Sequence, residues 1–226
     1  MILKIQTSGY SKHRNLLLTM AGVGLLLVVL MIYWLISAQQ LHTFRQQIFQ
    51  VLPGSSQLKQ LYYVGQNRVG QNRVGQNQAG QSWQPIDFTR DSADSLYAGY
   101  NESGQFIGYA IPGEGPGYQD SIRLLYGFQP TRRQIVGMVV LDSGETTGWG
   151  EQALKDTDFL ANFQALAVDP KLVVVESGEK QRPNEVDIMT GATISSQAIV
   201  QILNATNRRW LKRLPTEGNE PSLTAP

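Results

Sequence analysis

The chain has 226 residues, 19 Lys and Arg against 18 Asp and Glu, and a formal net charge of +1. That balance gives no electrostatic case for nucleic acid as a partner. It contains no cysteine and only two histidines, His13 and His42, both outside the C-terminal two thirds. This excludes disulfides, thiolate-held iron–sulfur clusters, thioether-linked haem and a Ser-His-Asp triad there, and leaves no imidazole for a metal site.

The first element is an uncharged apolar run over residues 16–37, Leu16 to Ser37. A helix of that length spans a hydrocarbon core of about 30 Å. Tyr33 and Trp34 sit near one end, as interfacial aromatics do. The run exceeds the apolar region of a signal peptide, and Ser37-Ala38-Gln39 is a weak cleavage site, so it is read as a retained anchor. Lys4, Lys12 and Arg14 precede it and Arg45 alone follows closely. The bias places residues 1–15 in the cytoplasm and the large C-terminal part outside.

Residues 38–84 read as a membrane-proximal segment. Leu41, Phe44, Ile48, Val51 and Leu52 recur at helical spacing up to Pro53-Gly54. Residues 64–78 then repeat Val-Gly-Gln-Asn-Arg/Gln three times. A period of five fits neither helix nor strand, and Gln, Asn and Gly bury too little apolar area to offset ordering, so a flexible insertion is expected.

Residues 85–213 form the expected folded domain. Strands are predicted at Phe106–Ala110, Ile122–Phe128 and Gln134–Leu141, with a turn at Gly115–Tyr118 between the first two. Gly113 to Gly117 is not a phosphate loop, because no Gly-Lys-Ser/Thr follows. A helix is predicted over Asp158–Val168 with Phe159, Leu160, Phe163 and Leu166 inward, then a β-branched strand at Leu172–Glu176. The last helix, Ser195–Arg213, carries Ile199, Ile202, Leu203, Thr206 and Trp210 on one stripe and basic residues in its final turns. Residues 214–226 read as a disordered polar tail. Antiparallel strands with segregated helices define an α+β domain, mainly an antiparallel sheet with flanking helices, preceded by one transmembrane helix.

Ahead of the last helix lies Asp187-Ile188-Met189-Thr190-Gly191-Ala192-Thr193-Ile194-Ser195-Ser196. Unpaired N–H groups and the helix dipole make such a position a site for an anion such as phosphate. Gly191 permits a positive φ and close approach of the backbone. Thr190, Thr193, Ser195 and Ser196 supply hydroxyls. The plain alternative is that Thr190 or Thr193 caps the helix.

Asp187-x-x-Thr190-Gly191-Ala192-Thr193 resembles the flavinylation motif of the FMN-binding domain found in the G subunit of Rnf-type electron transport complexes and in the C subunit of the sodium-translocating NADH:quinone reductase. The resemblance implies that Thr193 is esterified to the phosphate of FMN, with Ser195 as a side-chain partner of that phosphate. Glu145-Thr146-Thr147-Gly148-Trp149-Gly150 is similar to the same family's Glu-Thr-Pro-Gly-Leu-Gly loop, with Thr147 for Pro and Trp149 for Leu. It implies that Glu145, Thr146, Gly148, Trp149 and Gly150 line the flavin, with Tyr118 bordering the ring. Asp187 serves the modifying enzyme or orders the loop.

The implied protein is a flavoprotein subunit, single-pass in a bacterial inner membrane with its main domain periplasmic. It passes electrons within an Rnf-type ion-translocating complex, with other membrane subunits as partners. Because no His or Cys is present to activate Thr193, attachment needs a separate flavin transferase. Two other readings stay open: a stand-alone flavinylated carrier for an extracytoplasmic reductase, and an anchored structural or binding module without flavin.

Overall fold

The computed structural model describes residues 8–64, 82–86, 95–118, 120–143, 156–215 and 223. The Gln/Asn/Gly repeat beyond Val64 and the Glu145–Gly150 loop lie outside the described residues. The chain divides into two compact units, Met1–Phe44 and Arg45–Pro226.

The first unit is helical, the N-terminal part of α1 (Ser8–Val51). Within α1, Gly22–Val51 is long and apolar enough to cross a membrane. Leu25, Leu26, Tyr33 and Trp34 are 58–72% exposed, as side chains that face lipid rather than protein are. The membrane-proximal helix expected as a separate element is the uninterrupted end of α1. It stops at Val51, ahead of Pro53, whose ring disfavours a helical conformation at the residue before it.

The second unit is built on a seven-stranded antiparallel sheet in the order β2-β1-β3-β4-β5-β6-β7. Its strands are β1 (Gln57–Val64), β2 (Ser82–Ile86), β3 (Ser95–Tyr100), β4 (Phe106–Pro116), β5 (Ser121–Gln129), β6 (Gln134–Ser143) and the short edge strand β7 (Leu166–Ala167). Of these, β1 and the first three residues of β2 come from the stretch read as membrane-proximal. Strand β4 also runs past the predicted Ala110 through Gly113-Glu114-Gly115, and its turn into β5 closes with Gly117 N–H donating to the Asp120 carbonyl at 2.7 Å.

A one-turn helix, α2 (Thr157–Ala161), sits between β6 and β7. The longer helix expected to Val168 ends there. Ala165 takes a left-handed φ of 67°, and Leu166 pairs with Ile135 on β6. A small parallel pair follows, β8 (Val173–Val175) with β9 (Glu185–Asp187). The long helix α3 (Thr193–Trp210) closes the domain.

One face of the sheet carries the main core: Leu61, Tyr109, Ile111, Leu124, Tyr126 and Phe128 meet Ile199, Ile202, Leu203 and Trp210 of α3. The stripe read from the α3 sequence is the buried one, Thr206 included. The end of α1 lies over a trough of strand glycines. A Cβ on Gly127 would stand 1.8 Å from the Val51 carbonyl oxygen, and one on Gly137 would stand 3.0 Å from Val51 Cα. Ile48, Val51 and Leu52 are fully buried there.

Candidate functional site

The segment between β9 and α3 is stitched down at both ends, and its middle projects. At the β9 end, Ile188 N–H donates to the Val175 carbonyl at 2.9 Å. The Asp187 Oδ1 atom accepts from the backbone N–H groups of Gly178 and Lys180, each at 3.1 Å. Of the two roles read for Asp187, the geometry provides loop ordering: its carboxylate organises the turn after β8. The Asp187 N–H donates to Oδ1 of Asn162 at 3.1 Å, a residue that no motif or periodicity singles out.

At the α3 end, Met189 N–H donates to the Ser196 hydroxyl at 3.2 Å, and that hydroxyl donates to the Ala192 carbonyl at 2.9 Å. Ala192 N–H closes a tight turn onto the Met189 carbonyl at 3.0 Å. Gly191 inside this turn has φ 86°, so the left-handed conformation expected of it is present.

Burial follows from this stitching. Ala192, Ser195 and Ser196 are buried, while Thr190, Gly191 and Thr193 are exposed. Ile194, beside Thr193, is 53% exposed despite being apolar. Neither threonine caps the helix. The N-cap is Ala192, which has no side-chain hydrogen bond to offer, and Thr193 is the first helical residue. The first intrahelical bond runs from Ser196 N–H to the Ala192 carbonyl at 2.9 Å. The N–H groups of Thr193, Ile194 and Ser195 precede it, at the positive end of the α3 dipole. No acidic residue occupies that first turn.

These residues fit a phosphate. An exposed hydroxyl stands at an uncapped helix N-terminus, beside a glycine turn that leaves the backbone open. Ser195 is 5% exposed, so its contribution to such a phosphate comes through its backbone N–H more readily than through its hydroxyl. Tyr118, in the turn from β4 to β5, is 60% exposed. Glu145, Thr146, Gly148, Trp149 and Gly150 lie outside the described residues. Two cavities of about 490 and 440 Å³ flank the C-terminal half of α3, near Arg123, Thr206 and Arg209 and near Lys171, Gln201 and Arg208. They start eight or more residues along α3 from Thr193, about 12 Å or farther, and include no motif residue. Among the described residues no group of His, Cys, Asp and Glu could hold a metal.

One strongly perturbed acid supports the segment. The Glu185 carboxylate is held down to about 2, first by the Gln181 backbone N–H, then by the Arg182 backbone N–H and guanidinium. The bonds are 2.7, 2.8 and 2.5 Å. They fix the loop entering β9, the strand that leads to the motif.

The structure is thus an α+β domain with Thr193 exposed at the N-terminus of its last helix. Among known proteins, residues 117–207 match the family described as FMN-binding domain. The chain is 37% identical over 109 residues to the G subunit of the ion-translocating oxidoreductase complex of Methanosarcina acetivorans, covering 48% of this chain and 54% of the relative. It is 33% identical over 95 residues to the G subunit of the proton-translocating ferredoxin:NAD(+) oxidoreductase complex of Clostridium ljungdahlii, covering 42% of this chain and 49% of that protein. The chain thus spans about half the length of the curated relatives it matches. In fold it is similar to the C subunit of the Na(+)-translocating NADH-quinone reductase of Parabacteroides distasonis, with a TM-score of 0.57 and 15% identity over 82% of this chain and 97% of that one.

Proposed function

We propose that this chain is a membrane-anchored flavoprotein subunit, with FMN joined through its phosphate to Thr193, which passes electrons within an Rnf-type ion-translocating oxidoreductase complex. The observation that carries the reading is the exposure of Thr193 as the first residue of an uncapped helix, after a left-handed Gly191, inside the FMN-binding match. Bound FMN supplies one- and two-electron redox chemistry. The protein's own residues do the rest. Thr193 Oγ provides the point of attachment. The free amides of the first turn of α3 hold the phosphate's remaining charge, worth about 0.3–1 kcal/mol at an exposed helix end. Asp187 and Ser196 hold the loop in one shape.

Attachment runs on a separate transferase, because no His or Cys near Thr193 deprotonates it. Condensation with free FMN in water is uphill, so attachment would need an activated donor of the FMN phosphoryl group. Thr193 Oγ would form the new O–P bond as the bond from phosphorus to the donor's leaving group breaks, that group keeping the electron pair and the hydroxyl proton passing to a base of the transferase.

The apolar helix and the Lys4, Lys12 and Arg14 bias support a layout with residues 1–15 cytoplasmic, residues 16–37 in a bacterial inner membrane and the domain outside, where covalent attachment prevents loss of the cofactor. Neighbouring membrane subunits are the expected partners. Co-expression of the full chain with a flavin transferase tests the site. The intact mass should rise by one FMN, with the modified peptide at Thr193. Thr193→Ala should lose the mass and the in-gel fluorescence while staying folded, and Thr193→Ser should keep both. An unmodified mass in the wild type removes the redox reading. Purification from the native membrane tests the complex: subunits travelling with the chain support it, and a chain recovered alone points to a stand-alone carrier.

A further inference from the structure

Resting on that reading, we infer that Asn162 is a positioning residue for flavin attachment, holding the Asp187 end of the acceptor segment in the shape the transferase uses. Asn162 is the C-cap of α2, a helix of five residues, too short to hold itself in water. Its N-terminus is fixed by Asp156 Oδ1, which accepts from the N–H groups of Asp158 and Phe159 at 3.0 and 2.9 Å. At its C-terminus Asn162 Nδ2 donates back to the Phe159 carbonyl at 3.2 Å. The other half of the amide turns outward, and Oδ1 accepts the Asp187 N–H across 25 residues of sequence. The main-chain carbonyl of Asn162 accepts Lys180 Nζ at 3.4 Å.

Three segments therefore meet at one point. They are the end of α2, the turn after β8 and the first residue of the acceptor motif. Asp187 N–H needs this partner. It belongs to strand β9, whose one neighbour is β8, and it is the next amide, Ile188 N–H, that bonds to β8 through the Val175 carbonyl. Asn162 supplies a side-chain bond that ties the motif to α2, beyond the β8–β9 unit and α3. The motif's other anchor, Ser196, belongs to α3 itself.

Phosphoryl transfer to Thr193 Oγ depends on that oxygen reaching an enzyme-held phosphate in line. A displacement of about 1 Å costs up to about 100-fold in such reactions. Releasing the Asn162 bond loosens the Asp187 end of the segment without touching the hydroxyl. Asn162 thus acts through Asp187, and its effect should appear in the rate of attachment rather than in its site.

The test measures FMN incorporation into the full chain, in detergent, by a purified transferase and a flavin dinucleotide donor. In-gel fluorescence and intact mass give the rate, and thermal unfolding is followed beside them. Asn162→Leu, of similar volume and without an acceptor, should lower the rate about tenfold or more, with modified peptide still at Thr193. Asn162→Asp keeps an oxygen where Asp187 N–H points and should return the rate to within about threefold of wild type. The inference is overturned if Asn162→Leu is modified at the wild-type rate, or if the Asp and Leu variants slow equally in step with their unfolding temperatures. Should Asn162→Leu not fold, Lys180→Met, which removes only the Nζ bond to Asn162, takes its place. A rate lowered two- to threefold supports the inference and an unchanged rate overturns it. Failure of the wild type itself to gain FMN at Thr193 is a different result, one that removes the reading beneath.

Discussion

Replacing Gly127 by Ala should undock the end of α1 from the sheet. The backbone at Gly127 is not left-handed, so on conformational grounds alone the change would stabilise the protein by about 0.4–1 kcal/mol. Sterics reverse the sign. The new Cβ would stand 1.8 Å from the Val51 carbonyl oxygen and 2.7 Å from its carbon. An ordinary carbon–oxygen contact is about 3.3–3.6 Å, so helix and strand must part by about 1.5 Å. Both clashing atoms of Val51 are main chain, and no rotamer change relieves them. A gap of even 0.5–1 Å forfeits about a quarter to a half of a packing contact. Ile48, Val51 and Leu52, each at 0% exposure, would lose most of theirs. Each such side chain is worth about 1.5–3 kcal/mol when fully buried, so the expected loss is about 3 kcal/mol or more. For a unit of this size that is a fall of about 6–12 °C in Tm. Gly137→Ala is the internal comparison. Its Cβ would stand 3.0 Å from Val51 Cα and oxygen, a shift of a few tenths of an ångström, and about 1 kcal/mol or less. Thermal unfolding of the full chain in detergent reads both, and limited proteolysis around Pro53–Ser56 reads undocking directly. A Gly127→Ala variant within about 2 °C of wild type, or no worse than Gly137→Ala, would refute the trough as the seat of α1.

Three further outcomes follow from individual bonds. Asp187→Asn keeps an oxygen that accepts from Gly178 and Lys180, so it should retain FMN incorporation within a few fold, whereas Asp187→Ala should lose most of it; an inactive Asn variant in the incorporation assay would mean the charge, and not the loop, is what the transferase needs. The Glu185 carboxylate is held at about 2, below the ordinary 4.5, so its contribution to stability is present in full above about 4.5 and is lost as pH falls toward 2; acid titrations of unfolding should show Glu185→Gln less stable at neutral pH and with a shallower acid loss in that window, and parallel curves would contradict it. Tyr126 donates its hydroxyl to Asn207 Oδ1 at 2.8 Å in the core, where Asn207 Nδ2 has no partner among the described residues. Tyr126→Phe should therefore cost about 1–3 kcal/mol in chemical denaturation, and a neutral result would show that Asn207 re-pairs.

Elements whose sequence signal is local were legible. The apolar run of α1, the β-branched strands β4 to β6 and the stripe of α3 each carry their own periodicity. Gly191 takes the positive φ its place in the motif required. Elements decided by distant partners were not. Gln57 to Val64 falls in the segment read as membrane-proximal, where no strand is predicted, and becomes β1 because β3 offers it a register from Gln57 opposite Tyr100 to Tyr62 opposite Ser95. Phe159, Leu160, Phe163 and Leu166 have helical spacing, yet the left-handed Ala165 breaks it so that Leu166 extends the sheet. Such a conformation at a non-glycine residue leaves no mark in composition. The bond from Asp187 to Asn162 joins residues 25 apart, with nothing in either neighbourhood to announce it. The strand glycines carry a similar lack of warning: a glycine in a strand weakens it locally, and only the presence of Val51 explains why Gly127 has no side chain.

The choice of an exposed threonine over an enclosed pocket follows from what surrounds it. A cofactor held by contacts alone needs a cavity that buries most of it. Around Thr193 the side chains that are buried, Ala192, Ser195 and Ser196, are small, and of the described residues that project, Thr190, Gly191, Thr193 and Ile194, Ile194 alone offers a large apolar side chain. The described surface offers amides ahead of the first intrahelical bond, a dipole and a hydroxyl. Under the proposed attachment a covalent bond would supply the retention, and exposure would let a transferase reach the same oxygen. Rigidity for that acceptor has to come from the loop's own hydrogen bonds, at Asp187 on one side and Ser196 on the other.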